Sequence, residues 1–104
     1  MATAELEASV HGEDGSPVIE LVGDIDGRAE AALDRAYTEV EQAPAVRLDF
    51  SRVVYINSTG IALIVGLLAR ARKNGQTLSA AGLSPHYREI FEITRLADFM
   101  TIVD

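Results

Sequence analysis

Asn57-Ser58-Thr59-Gly60 sets two hydroxyls and a glycine at the start of an apolar helical run, a short loop after a strand. A hydroxyl in the first turn of a helix is exposed and close to backbone N–H groups that have no partner inside the helix. It can therefore carry a phosphate, which those groups tolerate. The chemistry open to Ser58 is phosphoryl acceptance. Thr59 is the nearest competing hydroxyl and reads as a supporting first-turn residue. Plain helix capping is the other role open to Ser58; any Ser, Thr, Asp or Asn so placed performs it for about 1 kcal/mol. Asp24 and Asp26 precede another helix, where capping and contact with a partner are both open to them. Gly60 permits close approach of a partner or of a neighbouring strand.

Other chemistry finds little support. His11 and His86 stand far apart without metal-pair spacing, and there is no Cys, so neither a zinc site nor a thiol nucleophile is expected. The chain lacks a Gly-x-Ser-x-Gly elbow, a P-loop and a Gly-rich dinucleotide fingerprint. Gly23 to Gly27 is too acidic and too short to cradle phosphates. Asp24 and Asp26 have no accompanying base. The expectation is a protein that is not an enzyme and takes no cofactor.

The 104 residues suit one domain over 1–104, and 48% of them are hydrophobic, enough for one core. A net charge of −7 argues against nucleic acid, whose phosphates need a concentrated basic surface. Arg70, Arg72 and Lys73 form the only dense basic cluster, at the end of an apolar helical run, where they complement the helix dipole. Electrostatics favours a protein partner. The strongly apolar run Ile61 to Ala69 falls far short of the roughly 20 residues that cross a bilayer. Met1 to Glu7 has neither a basic nor an apolar signal region, so the expected location is the cytoplasm.

The elements that must hold Ser58 follow from periodicity. Leu6, Ala8 and Val10, then Val18, Glu20 and Val22, alternate on either side of Gly12 to Pro17 and predict an antiparallel hairpin. Leu33, Ala36, Tyr37 and Val40 mark a helix face, within a helix from Gly27 to Gln42 that Pro44 ends. Ala45 to Phe50 predicts a strand. Ile61, Ile64, Val65 and Leu68, with Leu63 and Leu67, predict a second helix stopped by Asn74-Gly75. Thr77 to Ala81 is a strand. Ser84-Pro85 opens a third helix bearing Tyr87, Ile90, Phe91 and Thr94 on one face, and Phe99 to Val103 closes the chain as a strand. The order β-β-α-β-α-β-α-β predicts an α/β domain with a mixed, mainly parallel sheet.

Leu48-Asp49-Phe50-Ser51-Arg52-Val53-Val54-Tyr55-Ile56-Asn57-Ser58-Thr59-Gly60 resembles the STAS signature: a strand ending Asp-Phe/Leu-Ser, a hydrophobic loop, then Asp-Ser-Ser/Thr-Gly at a helix start. Gly23-Asp24-Ile25-Asp26 resembles the family's second patch, Gly-Glu-Leu/Ile-Asp. The chain is thus similar to bacterial anti-sigma factor antagonists. That resemblance implies a regulatory binding protein whose Ser58 is phosphorylated by a partner that is both serine kinase and anti-sigma factor. Phosphorylation would break the complex, and a PP2C-type phosphatase would reset it. Asp24, Asp26, Asn57, Ser58, Thr59 and Gly60 become the candidate partner-binding residues.

Two departures qualify the resemblance. Asn57 stands where the phosphorylated antagonists usually carry Asp, which preserves capping but removes a carboxylate from the phosphoryl-transfer neighbourhood. Asp104 directly follows the closing strand, where the family commonly adds a helix, which leaves three readings open: that part of the core is uncovered, or a partner fills it, or a second copy does. Both departures suit an alternative: a non-phosphorylated STAS scaffold or accessory subunit of a larger complex or transporter.

Overall fold

The computed structural model describes residues 4–12 and 16–103. Glu7–His11 (β1) pairs antiparallel with Val18–Ile25 (β2), in the register Glu7↔Val22 to His11↔Val18, as the alternation predicts. The connecting turn lies partly outside the described residues. Asp26 then caps a single 3-10 turn, Gly27–Ala29, which runs into Glu30–Val40 (α1). Leu33, Ala36, Tyr37 and Val40 are the buried face of α1. The helical run thus stops at Val40, and Ala43 N–H closes it by donating to the Val40 carbonyl at 3.0 Å.

Ala45–Ile56 (β3) reaches well past Phe50, where the sequence suggested a strand followed by a loop. The cause is non-local: β2 offers a parallel partner through Ile25↔Ile56. Two irregularities keep the pair together. Glu20↔Asp49 is followed by Val22↔Arg52, and Gly23↔Val53 by Asp24↔Tyr55, so β3 holds one extra residue in each interval. These are bulges, which bend a strand and re-aim its side chains.

Ser58–Lys73 (α2), Thr77–Ala81 (β4), Pro85–Ile93 (α3) and Thr101–Val103 (β5) complete a five-stranded sheet in the order β1-β2-β3-β4-β5, parallel from β2 onward. Successive right-handed crossovers between neighbouring parallel strands place all three helices on one face. Val46, Leu48 and Phe50 point into that core, while Arg47 faces solvent. Phe91 of α3, fully buried, meets Phe50 edge to face, with ring centroids 5.7 Å apart. Ser84 caps α3 and Pro85 opens it, as the sequence indicates.

The buried face of α2 is Gly60, Ile64, Leu67, Leu68 and Ala71. Val65, expected on that face, is 46% exposed instead, because the sheet side of the helix is centred nearer to Ile64 and Leu68. Gly75, in the left-handed region at φ +71°, stops the helix. A polar network ties the ends of α1 and α2 together. The Tyr37 hydroxyl donates to Gln76 and accepts from Asn74, and Gln76 Nε2 donates to the Val40 and Ala43 carbonyls. Among the described residues no helix is long and apolar enough to cross a membrane.

Candidate functional site

The parallel register Asp24↔Tyr55 and Ile25↔Ile56 brings the exits of β2 and β3 side by side. The turn after β2 and the first turn of α2 are therefore neighbours: a Cβ placed on Gly27 would stand 3.6 Å from Thr59 Cγ2. The Ile25 carbonyl accepts from the Asn57 N–H at 3.2 Å, joining the two exits directly.

Asn57, not Ser58, caps α2. Its side-chain oxygen accepts from the Gly60 N–H at 2.8 Å, and its carbonyl accepts from the Ile61 N–H at 2.9 Å. Ser58 is the first residue inside the helix and is exposed. Its hydroxyl has no hydrogen-bond partner among the described residues, so capping does not explain it. The backbone N–H groups of Ser58 and Thr59 precede the first in-helix bond and are the orphan donors of the helix start. Thr59 is exposed beside Ser58.

Asp26 and Asp24 part company. Asp26 caps the 3-10 turn through the Arg28 N–H at 3.0 Å, and the Arg28 guanidinium forks onto the same carboxylate, with Nη2 2.9 Å from Oδ2. That hydrogen-bonded cation holds the Asp26 carboxyl below the usual carboxylate range, and the carboxylate in turn raises the Arg28 guanidinium. Asp24, expected in the loop, lies inside β2 and is 3% exposed. The strand continues because the N-terminal segment flanks it: the Asp24 N–H donates to the Ala4 carbonyl at 2.9 Å, and Glu5 bridges to Asp24. A residue covered in this way offers a partner almost no surface.

Gly60 is buried as well, and its close neighbour is the Ile25 carbonyl oxygen, so strand packing accounts for it. Of the six candidate residues the fold thus gathers Asp26, Asn57, Ser58 and Thr59 at one end of the sheet and sets Asp24 and Gly60 beneath them.

Sequence reasoning missed three contributors. The Tyr87 hydroxyl of α3 accepts from the Ile56 N–H at 2.8 Å and pins the β3 exit immediately before the cap. Val54 and Tyr55, held by the second bulge, are 73% and 52% exposed. A separation of 31 residues leaves no local trace of the first contact. A bulge likewise depends on the partner strand and not on a local pattern.

Known proteins place this geometry. The anti-sigma-B factor antagonist of Listeria monocytogenes is 31% identical over 84 residues, covering 79% of this chain and 74% of the relative. The crystal structure of an anti-sigma factor antagonist from Mycobacterium paratuberculosis superposes with a TM-score of 0.77 at 23% identity, over 93% of this chain and 84% of that one. The Bacillus cell fate determinant SpoIIAA, solved in its phosphorylated form, shares the fold with a TM-score of 0.66 at 19% identity, over 93% of this chain and 91% of its own. The family model described as "Mlab, STAS domain" matches residues 8–104, almost the whole chain. With the signature Asn57-Ser58-Thr59-Gly60 at the start of α2 and that match behind it, the chain belongs to the STAS domain family.

Proposed function

We propose that the protein is an anti-sigma factor antagonist: it binds an anti-sigma factor that is also a serine kinase, and phosphorylation of Ser58 ends the complex. The observation that carries this reading is the Ser58 hydroxyl, exposed in the first helical turn and relieved of capping by Asn57. A side chain with no structural duty at an exposed helix start is open to modification. The likeness to a relative named anti-sigma-B factor antagonist supports the identity of the partner.

Phosphate adds about −1.5 to −2 charges at neutral pH, and the helix start with its orphan N–H groups accommodates them without unfolding the domain. A partner surface fitted to a neutral serine then confronts a desolvated charge. A loss of about 3 to 4 kcal/mol weakens binding more than about a hundredfold. The protein performs no chemistry of its own in this scheme. A PP2C-type phosphatase restores the binding form, and the whole cycle runs in the cytoplasm on a single domain spanning residues 1–104.

Incubation with ATP, Mg²⁺ and the cognate serine kinase, followed by mass spectrometry and a binding assay, tests the scheme. Phosphate on Ser58 with loss of kinase binding is the expected result. Asn57, in place of the usual Asp, favours the second reading, a non-phosphorylated scaffold or transporter subunit. An unmodified Ser58 and binding indifferent to Ser58→Asp would establish that reading instead.

A further inference from the structure

A cavity of about 310 Å³ lies between α2 and the turn that follows α3. Val65, Leu68 and Ala69 of α2 line one side, and Leu96 and Phe99 the other. Arg72 and Arg95 also line it, and no acidic residue does, although acids outnumber bases by 16 to 9 in the chain. Leu68 and Leu96 are buried, whereas Val65 and Phe99 are 46% and 56% exposed. Solvent thus reaches an apolar hollow with two cations beside it. Arg72 stands about 21 Å further along α2 than Ser58, at 1.5 Å per residue, so the hollow is separate from the hydroxyl discussed above.

Neither arginine is explained by local stability. Arg95, directly after the α3 cap Thr94, has φ +67° and is the single non-glycine residue at positive φ among the described residues. Glycine takes such a position after a helix without strain, and a side chain there carries a conformational cost. The recorded partner of that side chain is Asp98, with Nε 2.9 Å from Oδ2, an exposed pair three residues apart that stabilises little. Arg72 lies over the Phe99 ring, 5.5 Å from its centroid. Stacking uses the face of a guanidinium and leaves its in-plane N–H donors open. Among the described residues no carboxylate pairs with Arg72.

We propose that this cavity binds a single-tailed anionic amphiphile, a medium-chain carboxylate whose tail lies on Leu68, Leu96 and Phe99 and whose head meets Arg72 and Arg95. Size and charge select this class. Small-molecule pockets run from about 300 to 1,000 Å³, so this one holds a single short tail. Guanidinium groups bind a carboxylate through paired, charge-assisted hydrogen bonds, and a cationic head would instead face two like charges. Asp98, the acid that touches Arg95, lines the neighbouring hollow and not this one. The site does not depend on the reading of Ser58.

The test is titration of the full, ¹⁵N-labelled chain with decanoate, beside decyltrimethylammonium and acetate as probes that change the head and remove the tail. Saturable one-to-one binding of decanoate is expected, with the largest amide shifts at Ala69, Arg72, Leu96 and Phe99. The other two probes should bind at least about tenfold more weakly. Arg72→Gln should weaken decanoate at least about tenfold, and Ala69→Phe, which fills the hollow, should abolish its binding. Arg95→Gly should weaken it several-fold while the melting temperature holds or rises, a combination that a purely structural arginine would not give. Arg35→Gln, an exposed cation of α1, should stay within about twofold of the parent. Circular dichroism melts should show each variant folded.

Equal affinity for decanoate and decyltrimethylammonium would show that the arginines select nothing, and the proposal would be refuted. Shifts that stay linear in decanoate to several millimolar, or that Arg72→Gln and Ala69→Phe leave unchanged, would refute it as well. A parent that ignores decanoate but is dimeric in light scattering, and becomes monomeric on Ala69→Phe, would make a second copy the occupant and overturn the proposal.

Discussion

A Cβ built on Gly60 would stand 1.9 Å from the carbonyl oxygen of Ile25, closer than any real contact allows. The first turn of α2 therefore rests directly on the end of β2, with Ile25 also accepting the Asn57 N–H. The obstacle is backbone, which has no rotamer to change. Gly60→Ala is expected to cost about 3 kcal/mol or more, the upper end of overpacking, and urea unfolding would show it as a lowered midpoint. A midpoint shift of a few tenths of a kcal/mol would mean that the two exits are not locked together.

Asn57 holds the cap on which the exposure of Ser58 depends. Asn57→Ala removes the acceptor of the Gly60 N–H and is expected to cost about 1 kcal/mol. Asn57→Asp keeps the cap and adds a charge that the helix dipole favours, so stability should hold or rise by up to about 1 kcal/mol. Thermal melts of the two variants check this, and phosphorylation rates of Asn57→Asp beside the parent show whether a carboxylate next to Ser58 matters for the kinase.

Tyr87→Phe deletes the only side-chain acceptor recorded for the Ile56 N–H among the described residues, in a residue that is 6% exposed. An unmet buried donor costs about 1 to 3 kcal/mol. Beyond a lower melting temperature, faster amide hydrogen exchange at Ile56 than in the parent is expected. Exchange at Leu48, in the middle of β3, should change no more than global stability requires.

The Asp26 carboxyl titrates below its ordinary value because Arg28 hydrogen-bonds its ionised form. A folded-state value depressed below the unfolded one contributes stability that is present above the unfolded value, near pH 4, and is lost as pH falls through the folded one. Urea midpoints measured from pH 5.5 down to about 2.5 should therefore fall less for Asp26→Asn than for the parent. The difference should shrink in 0.5 M salt, since the pair lies near the surface.

Much of the architecture was legible in the residues. Alternation in Leu6 to Val10 and Val18 to Val22 located the hairpin, the spacing of Leu33, Ala36, Tyr37 and Val40 located α1, and Ser84-Pro85 marked the start of α3. These signals are local: a period of 2 or 3.6 and a cap are properties of a few consecutive residues. The Asn57 to Gly60 signature likewise put a helix start at Ser58.

What the sequence could not rank were roles that several residues can fill equally well. Asn57 and Ser58 both suit a cap, and the fold gave it to Asn57 because the bond from its N–H to Ile25 fixes which residue precedes the first turn. Asp24 and Asp26 looked alike until β3 and the Ala4–Glu5 segment closed on either side of Asp24 and extended the strand past it. Gly60 could have served a partner, but Ile25 occupies its approach. Composition and periodicity determined which elements exist and in what order. The tertiary structure alone decided which side chains near Ser58 meet water, because that depends on strand register and bulges, and register is set by backbone pairing between segments some 30 residues apart.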